Sequence, residues 1–332
     1  MGEAQGVTGR PLGCMLEAPG REVLCASLTS FWPPHWRAMT EQLIGWAANG
    51  EDVVLWRALK GRSPGYFVDV GACDPVADSV TQLFSLNGWI GINIEPQPPL
   101  AALLAASRPN DVNLAAGVSD EPGVLELHVV DDDVQRTTFS SELAEIYRDE
   151  GRRVTLHRVP VMTLNKILED HPLPRIDFLK IDAEGFEDRV VGGLDLSLHR
   201  PSVIVAEHAD WLNCKFPHVL EAAGYRQVLF DGVNRYFVAK EDDEELGAAL
   251  SYPACALDRW VPVGLVDARM ERDAAQAAAR IAQSQLDLAN DQLLQAKDHL
   301  VQIHASEPWR VGQAVSRMAA PFVKLWRRRS AE

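Results

Sequence analysis

The sequence of 332 residues has few cysteines, and none of them has the spacing of a structural site. No C-x-x-C pair and no Cys/His ligand pattern occurs, which argues against a structural zinc site. No apolar run approaches the roughly 20 residues that would span a bilayer. The first ten residues are polar and rich in glycine, unlike a secretory signal peptide. We therefore expect a cytoplasmic protein with reduced thiols. The five cysteines are Cys14, Cys25, Cys73, Cys214 and Cys255.

Positive charge is scarce over most of the chain. The formal net charge is -15, from 32 basic and 47 acidic residues. The distribution is uneven, because residues 309–332 contain six basic residues and one acidic residue, and the remainder therefore has a net charge of -20. Nucleic-acid binding needs clustered Lys and Arg that neutralise phosphates, so the acidic body argues against nucleic acid as a partner. The basic end is a localised feature that calls for its own explanation.

Short apolar segments alternate with amphipathic ones from Tyr66 onwards, which predicts an α/β fold with a doubly wound parallel sheet. A final β-hairpin is expected around Asp231-Gly232. We assign this domain to residues 49–262 and expect irregular structure in residues 1–48. The polar residues 131–158 interrupt the alternation; we interpret them as an insertion over the functional face, and a plain surface excursion is the alternative.

Acidic residues end the first two predicted strands. Asp69, followed by Gly71, can accept a hydrogen bond from an ammonium group of a cofactor, and Gly71 allows close approach of the backbone. Glu95 ends the second strand, where a carboxylate suits the two hydroxyls of a ribose. The dinucleotide fingerprint G-x-G-x-x-G is absent, which disfavours a nicotinamide cofactor. This pattern predicts a nucleoside-containing cofactor that is not a dinucleotide.

Ionisable residues also follow the fourth and fifth buried strands. Lys180, Asp182 and Glu184 come from the fourth strand, and Glu207 and His208 come from the fifth. A general base or a metal ion is needed to activate a hydroxyl near neutral pH. Lys180, Asp182, Glu184 and His208 are therefore candidate catalytic residues, and Asp182 and Glu207 are candidate ligands of Mg²⁺. The alternative is that Lys180 simply pairs with a carboxylate.

The residues after the domain differ in kind. Residues 265–305 predict a coiled-coil helix, because small and apolar residues alternate in steps of four and three. The seam predicts self-association through residues 275–303, and packing on the chain's own domain is the alternative. Its members are Ala275, Ala279, Ala282, Leu286, Ala289, Leu293, Ala296, Leu300 and Ile303.

Pro308 is expected to end this helix. Residues 308–332 then combine apolar and basic side chains, as in an amphipathic helix on a membrane surface. We expect residues 309–329 to contact anionic lipid, so the protein would lie peripherally on the inner face of the membrane. A solvated basic tail is the alternative.

Several stretches resemble the FkbM-type methyltransferases, specifically the subgroup found with bacterial polysaccharide genes. The resemblance implies a class I methyltransferase fold, S-adenosylmethionine as the methyl donor and a hydroxyl acceptor, commonly on a sugar. It implies cofactor binding by Asp69, Gly71, Ala72, Ser79, Glu95, Pro96 and Asp182. The matching stretches are 49–57, 67–72, 74–79, 91–96, 159–164, 178–185 and 224–235.

Two residues depart from the family pattern. Cys73 stands where Asn is usual, and Phe186 replaces a small residue and would narrow the cleft. The segment Ser306–Arg310, after the coiled coil, is similar to the ends of polysaccharide-assembly enzymes, which are associated with the inner face of the membrane.

The leading hypothesis is an S-adenosylmethionine-dependent O-methyltransferase that acts on a sugar hydroxyl of a bacterial surface glycan or its precursor. Two alternatives remain. O-methylation of a small natural product would give no reason for a membrane-directed tail. A non-catalytic scaffold with the same fold would be expected to lack Asp69 or Glu95, and both are present.

Overall fold

The computed structural model describes residues 42–207 and 214–329, with the backbone alone for residues 322–329. The chain divides into two compact units, Met1–Val263 and Gly264–Glu332. The candidate base His208 and most of the predicted irregular segment 1–48 lie outside the described residues.

The first unit is built on a seven-stranded sheet. In chain order the strands are β1 (Leu43–Gly45), β2 (Tyr66–Val70), β3 (Ile90–Ile94), β4 (Val112–Leu114), β5 (Gly117–Val118), β6 (Gly123–Val130), β7 (Val154–Met162), β8 (Phe178–Ile181), β9 (Val203–Glu207), β10 (Tyr225–Phe230), β11 (Asn234–Ala239) and β12 (Trp260–Pro262). The order in the sheet is β10-β11-β9-β8-β2-β3-β4. Only β11 runs against its neighbours. The predicted doubly wound sheet with a final β-hairpin is confirmed.

Helices cover both faces of this sheet. In chain order the helices of the described residues are α1 (Glu51–Leu59), α2 (Gln82–Leu86), α3 (Pro98–Ser107), α4 (Ser141–Asp149), α5 (Leu164–Asp170), α6 (Glu187–Gly192), α7 (Phe216–Ala222), α8 (Asp243–Leu250), α9 (Val263–Ala305) and α10 (Glu307–Arg329), and the last two belong to the second unit. Helices α1, α2 and α8 share one apolar cluster, and α5, α6 and α7 share another. Strand β2 divides its side chains between them, Phe67 in the first and Val68 and Val70 in the second, as strand alternation requires.

A second sheet interrupts the alternation. Strands β5, β7 and β6 form it in that order, and the connection between β6 and β7 contains α4. The predicted polar insertion of residues 131–158 is therefore too long, because β7 begins at Val154 and pairs with β6 from there to Val161. Residues 155–158 of β7 are exposed on consecutive positions, so the first half of this strand lacks the apolar alternation that would have indicated it.

The described end of the N-terminal segment is not irregular. Leu43–Gly45 forms β1, which pairs in parallel with β12 at the end of the unit. Gly45 fits there because a Cβ atom would come within 2.7 Å of the Trp260 ring. A pairing across more than two hundred residues leaves no periodic signal in so short a segment.

The second unit consists of α9 and α10. None of the residues of α9 is buried, and Leu286, Leu293 and Leu300 of the predicted seam are more than half exposed. The helix ends at Ala305, and Pro308 lies in the first turn of α10, where proline is tolerated. Among the described residues, no helix is long and apolar enough to cross a membrane.

Candidate active site

A cavity of about 320 Å³ opens at the carboxyl ends of the parallel strands. This is the edge at which open α/β sheets bind ligands. Of the sequence-predicted site residues, all that the structure describes line this cavity: Asp69, Gly71, Ala72, Ser79, Glu95, Pro96, Lys180, Asp182, Glu184 and Glu207. The insertion closes one side through Val134, Gln135, Thr137 and Phe139.

The turn after β2 passes very close to the turn after β8. Gly71 has a φ of 75°, and a Cβ atom there would lie 1.8 Å from the backbone oxygen of Asp182. The Gly71 and Ala72 amides both donate to the carbonyl oxygen of Ile94, at 3.0 and 3.2 Å. Glycine is therefore required at position 71 by both conformation and space.

Glu95 organises the neighbouring turn. It is 3% exposed, and its two carboxylate oxygens accept hydrogen bonds from the amides of Cys73 (3.0 Å) and Gln97 (2.8 Å). Burial raises the pKa of Glu95, while these hydrogen bonds oppose the rise. Each carboxylate oxygen can accept a further bond. Glu95 is thus fixed at the cavity wall with acceptor capacity for a pair of ligand hydroxyls.

A buried ammonium group joins β2 to β8. Lys180 Nζ lies 3.4 Å from Asp69 and 3.3 Å from Asp182, and it donates to the carbonyl oxygen of Gly71 at 2.8 Å. Burial opposes the charge, but the carboxylates of Asp182 and Asp69 raise the pKa of Lys180 overall. The ion pair weighed as an alternative for Lys180 is therefore present, and it lies in the cavity wall.

Three carboxylates converge beyond Lys180. One oxygen from each of Asp182, Glu184 and Glu207 lies within 4.8 Å of the others. Burial, then the charges of Asp182 and Glu187, raises the pKa of Glu184 to about 8. Burial, then Asp182 and Glu184, raises the pKa of Glu207 to about 10. The cluster can therefore accept protons or hold a hard cation.

The turn that presents Glu184 is held in an unusual backbone conformation. Glu184 has a φ of 48°, and its carbonyl oxygen accepts from the buried hydroxyl of Thr138 at 2.6 Å. Glu187 Oε1 accepts from the amides of Ala183 (3.0 Å) and Gly185 (3.1 Å). Burial raises the pKa of Glu187 to about 7, with partial opposition from these bonds. Thr138 and Glu187 were not predicted from the sequence, because their hydrogen bonds depend on the conformation of this turn.

Two further residues that line the cavity, Glu51 and Asn234, were not predicted from the sequence. Glu51 is buried, and its carboxylate accepts from the side-chain amide of Asn234 at 2.8 Å and from the backbone amide of Asn49 at 3.0 Å. Asn234 stands opposite Glu207 in the β9–β11 pairing, so their side chains lie on one face. The stretch around Asn49 and Glu51 belongs to the family resemblance, but nothing in it indicated contact with the last hairpin.

No curated protein matches the sequence. Two solved structures are similar at 14% identity, both containing S-adenosylhomocysteine. One is the 1,6-didemethyltoxoflavin-N1-methyltransferase of Burkholderia thailandensis, bound also to 1,6-didemethyltoxoflavin (TM-score 0.29, 69% of this chain and 93% of that chain). The other is the O-methyltransferase of Bacillus cereus (TM-score 0.31, 66% and 89%).

Residues 69–237 match the FkbM methyltransferase domain family. This chain belongs to that family. It is an S-adenosylmethionine-dependent methyltransferase, and S-adenosylmethionine is its cofactor. The site fits that cofactor on its own terms: the cavity volume is that of a small-molecule site, and the fixed carboxylate of Glu95 provides the acceptors that a ribose needs.

Substitution of Gly71 tests the closeness of the two turns, and Gly88 provides a matched control. Both glycines have positive φ, but nothing lies within 4 Å of a Cβ atom at Gly88. Gly88→Ala should cost only the conformational penalty, about 1–2 kcal/mol of unfolding free energy, and leave cofactor binding intact. Gly71→Ala should lower the unfolding free energy by more than this. It should also weaken the binding of S-adenosylhomocysteine, as measured by calorimetry. Equal behaviour of the two variants would contradict the proposed contact.

Proposed function

We propose that this methyltransferase transfers a methyl group to a hydroxyl of a sugar in a bacterial surface glycan or its precursor. The observation that supports this most is the cluster of Asp182, Glu184 and Glu207 beside the cofactor cavity. A hydroxyl needs a base to become nucleophilic near neutral pH, whereas a neutral amine does not. A group of carboxylates with raised pKa values is suited to an O-methyl transfer.

The roles of the cofactor-binding residues follow from their geometry. Glu95 would accept hydrogen bonds from the ribose hydroxyls, and Pro96 would contact the same part of the cofactor. The backbone of Gly71 and Ala72 would lie against the amino-acid part, with Ser79 beside it. Asp69 and Asp182 would lie near the ammonium group of that part, and Lys180 would keep both carboxylates in place.

The cofactor supplies an activated methyl group on a sulfonium. The residues of the chain align the acceptor hydroxyl with the methyl group and remove its proton. Glu184, in its ionised form, would take that proton while the oxygen–methyl bond forms and the bond between the methyl carbon and the sulfur breaks, leaving a neutral thioether. His208 stays a predicted alternative base. Lys180 would hold the Asp182 side chain in place beside the reacting atoms.

The charge of the cavity favours a neutral, hydroxyl-rich acceptor. Seven acidic residues and one lysine are among the described cavity-lining residues. Such a wall would repel a phosphate or carboxylate placed near the reacting atoms, and carboxylate and amide oxygens accept hydrogen bonds from sugar hydroxyls. The acidic residues are Glu51, Asp69, Asp78, Glu95, Asp182, Glu184 and Glu207, and the lysine is Lys180.

The function is tested by mass spectrometry of surface glycan from the native bacterium. A strain without the protein should lack a methyl ether that returns when the wild-type chain is supplied. Asp182→Asn should not restore the methyl ether, because it removes a charge from the centre of the cluster. Glu145→Gln, an exposed change on α4, should restore it. An unchanged glycan in the deletion strain would refute a glycan acceptor.

We propose also that the carboxylate cluster binds a divalent cation. Asp182 and Glu207 would be its ligands, with Glu184 as a third, and Mg²⁺ is the ion suited to oxygen ligands of this kind. There it would lower the pKa of a bound acceptor hydroxyl. The raised pKa values of Glu184 and Glu207 favour this view, because a cation would relieve the repulsion between the charged forms.

The dependence of stability on pH and Mg²⁺ tests this metal site without an acceptor. The pKa of Glu207 rises from 4.5 to about 10 on folding, so its stabilising contribution is fully present below 4.5 and is lost as pH rises through 10. At about pH 9, Glu207→Gln should therefore melt higher than wild type; 1 kcal/mol corresponds to about 2–4 °C in a domain of this size. Mg²⁺ should raise the melting temperature of wild type and of Glu145→Gln, but not that of Glu207→Gln. An unchanged melting temperature of the wild type in Mg²⁺ would refute the proposed metal site.

Self-association through residues 275–303 belongs to the same proposal. The seam residues of α9 are exposed within one chain, and burial of its leucines against a second copy would stabilise an association. Leu293 belongs to the seam and Leu294 does not, although their exposures are similar, 54% and 61%. Leu293→Asp should therefore produce a monomer by light scattering, and Leu294→Asp should not. Wild-type monomers at all concentrations would contradict the coiled coil.

We infer further that residues 309–329 contact the anionic inner face of the membrane. In α10 the exposed Val311, Val315 and Met318 recur at helical spacing, and Arg310 and Arg317 stand seven residues apart on another face. The protein should sediment with vesicles of phosphatidylglycerol and phosphatidylcholine, and less so at high salt. Removal of residues 307–332 should abolish sedimentation; its persistence would place the lipid contact elsewhere.

A further inference from the structure

A buried arginine lies beneath the cofactor cavity. Arg108, directly after α3, is 4% exposed and forms no ion pair with any residue that the structure describes. Its guanidinium is instead surrounded by neutral oxygens. Nη1 donates to Thr81 (2.6 Å) and Asn93 (3.3 Å), and Nη2 donates to the Pro75 carbonyl (2.6 Å), Ser79 (2.9 Å) and Gln82 (3.3 Å).

This arrangement is costly for a charged group. Burial lowers the pKa of Arg108, and the charges of Asp69, Asp111 and Asp74, which act through space, only partly oppose this. A buried guanidinium needs its hydrogen-bond partners, because a donor left without one costs free energy. Most of these partners belong to the segment 75–82 between β2 and α2. Arg108 therefore holds this segment in one conformation.

The bonds also fix the direction of one hydroxyl proton. Arginine is a donor only, so the hydroxyls of Thr81 and Ser79 must act as acceptors toward it. The single proton of Thr81 is then directed to Asp69 Oδ2, which lies 2.8 Å away. Ser79 Oγ lies 3.4 Å from Thr81 Oγ1, at the long end of hydrogen-bond distances, so its proton can turn instead to a ligand in the cavity that Ser79 lines.

A continuous polar chain results. It runs from Arg108 through Thr81 and Asp69 to Lys180 and Asp182, with successive contacts of 2.6, 2.8, 3.4 and 3.3 Å. Its first members lie below the β2 turn, and its last member belongs to the carboxylate cluster. A change at Arg108 would therefore reach the amino-acid end of the cofactor site without touching Glu95.

We propose that Arg108 is a positioning residue for the amino-acid part of the cofactor: it presents Ser79 as a hydrogen-bond donor to the carboxylate of that part and, through Thr81, orients Asp69. The proposal rests on the cofactor placement proposed above, in which Glu95 binds the ribose. A site ordered before binding avoids the entropic cost of ordering it afterwards. Arg108 need not contact the cofactor to have this effect.

Two ligands that differ only in the amino-acid part test the proposal by calorimetry. S-adenosylhomocysteine contains that part, and 5′-methylthioadenosine lacks its carboxylate and ammonium. Arg108→Met should weaken S-adenosylhomocysteine binding by about tenfold or more. The affinity for 5′-methylthioadenosine should change by less than about threefold, because the Glu95 wall is unaffected. Equal losses for both ligands, or no loss for either, would overturn the proposal.

Control variants separate positioning from general destabilisation. Arg200 also holds backbone carbonyls, those of Ala223 and Gly224, but at the far edge of the sheet. Arg200→Met should lower the melting temperature without changing the ratio of the two affinities. If Arg108→Met does not fold, Thr81→Val should reproduce the selective loss and Thr81→Ser should restore affinity. Val and Ser variants with equal affinities would refute the hydroxyl's part, and a wild type that binds neither ligand would refute the cofactor placement itself.

Discussion

The site depends on one buried cation, the ammonium group of Lys180. It is the contact through which the β2 turn and the β8 turn share a single geometry, since it binds Asp69 on one side, Asp182 on the other and the Gly71 carbonyl between them. Without it, two carboxylates would face each other at low dielectric, where repulsion is strong. The close passage of Gly71 against Asp182 would then have no electrostatic support.

Several features of the same cavity wall lower the stability of the fold. Burial and mutual repulsion disfavour the charged forms of Glu184 and Glu207, which raises the pKa of Glu184 to about 8 and that of Glu207 to about 10. Glu184 also occupies a left-handed backbone conformation, which costs a non-glycine residue free energy. Such arrangements accumulate where a site is prepared for charge or proton transfer. The insertion helps to maintain this one, because the Thr138 hydroxyl binds the Glu184 carbonyl.

The site residues that could be predicted from the sequence lie at the ends of buried strands. Asp69, Glu95, Lys180 and Asp182 could be predicted because parallel strands bring their carboxyl ends to one edge, and the apolar strands themselves were evident. Arg108 was not predictable in the same way. It ends an ordinary helix, and its partners between positions 75 and 93 are identified only by the fold. The pairing of β1 with β12 and the length of β7 were missed for a similar reason: tertiary partners, not local periodicity, determine them.

Cys73, the one departure from the family pattern within the β2 turn, illustrates what that position requires. Its φ is 48°, a conformation that Asn tolerates better than most residues, and its amide donates to Glu95. Both features belong to the backbone. Burial, and then the charge of Glu95, raises the pKa of the Cys73 thiol to about 11, so the side chain stays neutral and is a poor nucleophile. The turn can therefore accept cysteine because the contact from the amide to the Glu95 carboxylate does not involve the side chain.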